Sequence, residues 1–314
     1  MMRRWVVSGL LALGGLLAFE STAVAQEIQL TGPLAGAPAV RGLRWHRNKR
    51  FEVAPMVSFT LLNEFKHTIL AGAKLNYNLT DWLAVGAWGA FGVAHINTGL
   101  TDEVEKVNKD RWKSWDSATA DAETVNKTLV DRNATVLSIG KDFPSQTGTI
   151  QWVFAPQVTA VPFRGKLAIF QKVFVDTELY FFGGPAFVGL KERADFDPGK
   201  EQDRAKLVST TCTAPVDNQM CVQQPKYETA TRVAIAPTFG FGLSFFTGKW
   251  TGIGLEYRAM PFAWNNSGFD SRGGPPDDRG PDYKVDEKDR AWRFNQMISV
   301  SFNMFFPTAI KSSP

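Results

Sequence analysis

Apolar and polar residues alternate along most of this chain. In the stretch 292–306 the even positions include Phe294, Gln296, Ile298, Val300, Phe302, Met304 and Phe306. The odd positions include Asn295, Met297, Ser299, Ser301, Asn303 and Phe305. Successive side chains of a strand point to opposite faces, so this pattern predicts a strand with one apolar face. Tilted, it is long enough to cross a bilayer. Similar alternation predicts strands at about 51–62, 67–79, 83–96, 150–162, 173–190, 229–246 and 250–263. The stretch 229–246 is clean: Val233, Ile235, Phe239, Phe241, Leu243 and Phe245 face away from Arg232, Ala234, Thr238, Gly240, Gly242 and Ser244.

The connections alternate in length. Thr80-Asp81-Trp82, Thr247-Gly248-Lys249 and a link around Phe163 to Lys172 are short. Segments 97–149, 191–228 and 264–291 are long and polar, with a short loop near Asn63 to Lys66 on the same side. The fold class expected is all-β: an eight-stranded antiparallel transmembrane β-barrel with short periplasmic turns and long extracellular loops. Both termini then lie in the periplasm. Pro55, Pro156, Pro237 and Pro261 fall inside strands and predict bulges or bends, because proline lacks a ladder donor. Trp82 and Trp250 at the periplasmic ends, with Trp152, Trp264 and Trp292 at the outer ends, are expected to form two aromatic girdles.

The ends add an address. Arg3 and Arg4 precede an apolar run from Leu10 to Phe19, and Ala23-Val24-Ala25 fits a cleavage site. Residues 1–25 therefore read as a signal peptide, 26–50 as a periplasmic arm, 51–306 as the barrel and 307–314 as a tail. The mature chain keeps about 290 residues, enough for one large β-domain. Its location is the outer membrane of a Gram-negative cell. A formal charge of +4 is too small to argue for nucleic acid. Cys212 and Cys221 are expected to pair as a disulfide after export.

Charge on the polar faces cannot meet lipid. Glu52, Lys74, Asp176, Glu178, Arg232, Glu256 and Arg258 are expected inside the barrel as ion pairs, in a lumen filled with Trp88 and Tyr180; a proton or ion path is the alternative. His67 and His95 are expected opposite each other at the outer rim as packing residues; two imidazoles taking a metal or a lipopolysaccharide phosphate is the alternative. The acidic run Asp277, Asp278, Asp282, Asp286, Glu287 and Asp289 reads as a solvated loop, since its spacing matches no EF-hand. Thr101 to Trp115 predicts a short amphipathic helix on the barrel mouth, with Glu105 and Lys109 at i,i+4. Arg41, Arg44, His46, Arg47, Lys49 and Arg50 form a basic cluster before the first strand. It suits anionic headgroups or an acidic periplasmic partner, and charge reversal at Arg44 and Arg47 is expected to spare folding.

Several stretches, among them "EIQLTGPLAGAPAV", "FEVAPMVSFTLLNEF", "AKLNYNLTDWLAVGAWG" and "QWVFAPQVTAVPFRGKLAIFQKVFVDTELYFFGGPAFVGL", resemble the outer-membrane β-barrel domain family of myxobacteria and related bacteria. "IAPTFGFGLSFF", "GLEYRAMPFAWN" and "FNQMISVSFNMFF" extend the likeness. Some members of that family are similar to barrels of the adventurous gliding machinery. The closing positions Val300, Phe302, Met304 and Phe306 also resemble the C-terminal signal of outer-membrane assembly, although eight residues follow them.

The function expected is a non-enzymatic scaffold or surface-interaction component, in contact with outer-membrane lipid and lipopolysaccharide. A periplasmic or envelope-complex protein partner fits the arm, and no cofactor is expected. A small porin-like channel is the alternative, and an outer-membrane lipid-modifying enzyme is a third reading.

Overall fold

Alternation leaves each strand one face to bury, and curling the sheet into a closed barrel buries that face and leaves no unpaired edge. The computed structural model describes residues 44–45, 47–116, 143–169, 173–197, 200, 228–248, 250–275, 277–282, 284–308 and 312–313. Eight strands close into one antiparallel barrel. They are β1 (Phe51–Leu61), β2 (Lys66–Asn78), β3 (Leu83–Asn97), β4 (Thr149–Ile169), β5 (Val173–Arg193), β6 (Thr229–Phe246), β7 (Thr251–Trp264) and β8 (Ala291–Phe306). Each pairs with its sequence neighbours, and β8 returns to β1, where Val300 opposes Val57 and Phe306 opposes Phe51.

Alternation sorts the two faces. Outward positions are apolar and bare, as at Phe91, Ile235 and Trp292, each about 70% exposed. So continuous an apolar surface suits hydrocarbon, not water. Inward positions differ by level. Toward the long loops, Met56, Leu70, Met260, Phe262 and Met297 meet small residues such as Ala155, Ala186 and Ala234 in one apolar cluster. Toward the short turns the interior is charged.

Three expectations need correction. No bulge falls at the prolines: Pro55 opposes Ala73, Pro237 opposes Pro185 and Pro261 opposes Phe294, with no register shift at any of them. Constant register on either side also sets Pro156 against Pro185, so three prolines share one rung and their missing donors are concentrated there. The shifts fall instead at Ile69/Leu70, Ile150/Trp152 and Ala160/Phe163.

The link expected around Phe163 to Lys172 is largely strand. β4 continues to Ile169 and β5 resumes at Val173, with Arg164 opposite Glu178 and Lys166 opposite Asp176. Opposite charges across a hairpin rung stabilise it. Trp264 leaves the girdle: it shares the inward parity of Arg258 and Phe262, is buried, and donates through Nε1 to Asn295 Oδ1 at 3.1 Å. Trp82, Trp250 and Trp292 are exposed, and Trp152 covers Gly189 on the neighbouring strand, where a Cβ would meet its ring.

Finally, the loops are ordered where they can be described. Helix α1 (Gly99–Asp116) starts at Thr98, whose Oγ1 accepts from the Thr101 amide and whose carbonyl accepts from the Asp102 amide at 3.1 Å. Glu105 and Lys109 pair along it. A single turn, α2 (Phe143–Gln146), precedes β4. Residues 1–43, 117–142 and 201–227 lie outside the described residues, and with them the signal peptide, Arg41 and the Cys212–Cys221 pair.

Candidate functional site

The charged part of the lumen is the most constrained chemistry in the molecule. Strand parity aims Glu52, Lys74, Glu178, Tyr180, Glu256 and Arg258 inward from four strands, and all are at least 95% buried. Glu256 is the hub. Its Oε1 takes Arg258 at 2.7 Å, and its Oε2 takes Tyr180 Oη at 3.2 Å and Lys74 Nζ at 3.4 Å. Lys74 also faces Glu52 at 3.8 Å and lies over the Tyr180 ring.

Arg258 closes the waist. Its guanidinium is stacked between Trp88 and Phe182, 4.3 Å and 4.2 Å from the two ring centroids. Its nitrogens also donate to Gln157 Oε1 at 2.8 Å and Thr238 Oγ1 at 3.2 Å. A planar cation held between two aromatic faces and tied at its edges is rigid as well as compensated. This is a plug, built from both charge and ring.

A second plug sits at the turn end, and it overturns the expectation for the basic cluster. Arg47 is buried, not solvated. It reaches Glu178 at 2.6 Å and Glu52 at 3.9 Å, with its guanidinium over the Phe305 ring at 4.6 Å. Its own amide donates to Asp81 Oδ1 at 2.8 Å, which ties the arm to the β2–β3 turn. Arg164 binds the other oxygen of Glu178 at 3.1 Å. Arg50 is buried too and donates to the carbonyls of Phe305 and Pro307, and burial is the main cause that lowers its pKa, with Arg47 adding to it. Of the described cluster, Lys49 alone has an exposed side chain to offer a partner; Arg44 is placed only as backbone. Charge reversal at Arg47 is expected to cost folding, because the new carboxylate would face Glu178 and Glu52.

The remaining candidates sit nearer the rims. Asp176 shares the inward parity of Glu178 but is only half-buried at the turn end, and Arg232 pairs with Glu192 at 2.6 Å at the loop end. His67 and His95 do not meet. The register shift at Ile69/Leu70 sets His95 against Thr68, with Oγ1 to Nδ1 at 3.2 Å, while His67 turns outward onto Phe59, its Nδ1 at 2.9 Å from the Thr60 carbonyl. One extra residue in a strand inverts its faces, which a parity count made from the turn cannot see. Among the described residues no group of three or more His, Cys, Asp or Glu is placed to hold a metal. Val300, Phe302 and Phe306 point outward and are exposed, with Met304 beside them.

The loop end is covered by a lid. Phe65, Phe143 and Phe269, from three different loops, pack ring to ring at 5.5–6.0 Å. Gln146 Nε2 donates to the Ser267 carbonyl, and Arg193 to the Gly268 carbonyl at 2.7 Å. Gly268 needs its positive φ of 69° and its missing side chain, since a Cβ would lie 2.4 Å from the Gln146 carbonyl oxygen. The acidic run is not merely solvated. Asp289 is buried and accepts from the amides of Ser271 (2.7 Å), Arg272 (3.0 Å) and Asp286 (3.0 Å), closing a capping box with Asp286. Burial pushes its pKa up despite those three donors.

Asp289→Ala removes the acceptor of three amides at once, at about 1–3 kcal/mol for each one left unsatisfied. The expected result is faster hydrogen exchange at 271–289, with barrel stability unchanged within about 0.5 kcal/mol. Unchanged exchange there would mean that the loop is held by other contacts.

Sequence reasoning placed Arg47 in a solvated basic cluster and did not assign Arg164, Asp81 or Gln157 to the site. Arg164 was legible: opposite charge at both Arg164/Glu178 and Lys166/Asp176 marks a hairpin longer than expected. Arg47 carried no such signal, because nothing in a basic segment says that one of its residues turns into a lumen.

The fold and its interior define a class: a closed eight-stranded antiparallel barrel with an apolar exterior, a charge-filled lumen and an ordered lid. No family model and no curated protein matches the chain. Among solved structures it is similar to the N-terminal β-barrel domain of Pseudomonas aeruginosa OprF (7% identity, 82% of this chain and 98% of that one, TM-score 0.36). It is also similar to the Pseudomonas aeruginosa outer membrane protein OprG (8% identity, 84% and 99%, TM-score 0.35) and to Neisserial surface protein A (6% identity, 84% and 98%, TM-score 0.30).

Proposed function

We propose that this chain is an outer-membrane barrel that passes no solute and serves as a structural or surface-interaction component of the envelope. The observation that carries the reading is the double seal. Arg258 is clamped between Trp88 and Phe182 at the waist, and Arg47 fills the turn end between Glu178 and Glu52. The bare apolar exterior supports a lipid environment, and the sequence of residues 1–25 supports export to reach it. The short turns are then periplasmic and the lid extracellular. Recognition falls to the lid and loops, since segments 97–149, 191–228 and 264–291 are longer than closing strands requires. The resemblance to barrels of gliding machinery suggests an envelope complex as the setting. The lipid-enzyme reading loses its candidate histidines, which lie on opposite faces of the wall.

The test is reconstitution. The full chain should enter vesicles as a heat-modifiable barrel and then show no stable conductance steps in planar bilayers. Large, long-lived steps from protein that has demonstrably inserted would overturn the sealed-lumen reading.

A further inference from the structure

A primary amide interrupts the apolar exterior of β8. Gln296 is on the outward face of β8, between Phe294 and Ile298, with Leu61 of β1 and Ala259 of β7 beside it. It lies four residues inside the rim residue Trp292, a depth of about 10 Å for a tilted strand. Its Oε1 accepts from Tyr257 Oη at 2.7 Å. That bond fixes the plane of the amide and leaves Nε2, with two donors, without a partner among the described residues. Hydrocarbon has no acceptor to offer, and an unmade hydrogen bond there is costly.

We propose that this wall is the interface of a homodimer, with Gln296 of each copy on the twofold axis. A twofold contact brings a patch against itself, so its polar groups must be self-complementary. A primary amide is. Each Nε2–H donates to the other copy's Oε1, whose second lone pair is left free by Tyr257. On β7, Ala259 is buried in the wall beside Gln296, and the outward positions Pro261 and Ala263 are small enough to let two walls approach closely. Neither copy presents charge there. A lipid carbonyl is the other acceptor class, but carbonyls lie at the interface, while Gln296 sits beneath Phe294 and Trp292.

The inference rests on the membrane reading, and its test separates the two, because it uses only barrels already shown to be inserted and heat-modifiable. Two populations of full-length protein, labelled for energy transfer, are mixed in vesicles over a range of protein-to-lipid ratios. The native chain should dimerise, and Gln296→Leu should weaken dimerisation about tenfold, the size of one to two interchain hydrogen bonds in lipid. Val158→Leu, on β4 across the barrel from β8, should leave it unchanged. In a Cys212→Ser, Cys221→Ser background, Gln296→Cys should cross-link to dimer on oxidation and Val158→Cys, across the barrel, should not. Native protein that stays monomeric at every ratio overturns the proposal and leaves the amide to lipid. So does a Gln296→Leu variant that dimerises as well as the native chain.

Discussion

Glu256→Leu should cost the barrel about 3–5 kcal/mol, the penalty for stranding buried charge when one partner is removed. Glu256 is the acceptor that Arg258, Tyr180 and Lys74 share. Without it Arg258 keeps Gln157 and Thr238, which are neutral, and Lys74 keeps neutral Tyr180 at 3.3 Å and a single anion, Glu52 at 3.8 Å. Two cations would then share a lumen with one distant anion. The cost should not scale with the volume lost. Lys74→Met, Glu256→Leu and Arg258→Met together remove every charge of the hub, and the combination should recover most of the loss, because an apolar replacement of a buried ion network is often neutral or better. Urea unfolding in vesicles, followed by tryptophan fluorescence and mobility, measures both variants. A Glu256→Leu loss under about 1 kcal/mol would show that solvent reaches the hub and that the waist is not sealed. A triple variant as unstable as the single one would show that Arg258 matters through its stacking on Trp88 and Phe182.

What the sequence made legible follows from how local each feature is. Strand existence, count and the inward set Glu52, Lys74, Glu178, Glu256 and Arg258 rest on period two, which needs only the chain itself. Trp264 was legible by the same count and was misplaced because rim position outweighed parity. The His67/His95 pairing failed at a bulge of one residue. A flat pattern such as Ala94-His95-Ile96-Asn97 near a strand end carries no mark of which face each residue takes. The prolines were overweighted: the outward row Pro156, Pro185 and Pro237 needs no bulge when the missing donors share a rung. The lid and the Arg47 plug were beyond a local reading. Each is made where segments distant in the chain converge, Phe65 on Phe143 and Phe269, or Arg47 on Glu178 and Phe305.

Arg47→Glu should be the most damaging single change at the turn end, and the contrast with Lys49→Glu two residues away makes it diagnostic. Arg47 is 4% exposed and Lys49 is exposed. The reversal puts a carboxylate where a cation now meets Glu178 at 2.6 Å and Glu52 at 3.9 Å. Three buried carboxylates would then look to Arg164 and Lys74 for compensation. Breaking the pair costs about 3–5 kcal/mol, and like-charge repulsion adds to that, so the total approaches the whole stability of a typical domain. The lost contact with the Phe305 ring removes a further cation–π term. The expected outcome is a barrel that fails to become heat-modifiable, or does so with a turn end open to protease. Lys49→Glu should assemble like the native chain, within about 0.5 kcal/mol, the usual range for surface substitutions. Arg47→Met separates the two causes: it removes the cation without adding an anion, keeps the apolar packing against Phe305, and should fall between the other two. If Arg47→Glu assembled normally, the arm would not be seated in the lumen, and the basic segment would again be free to meet headgroups or an acidic partner.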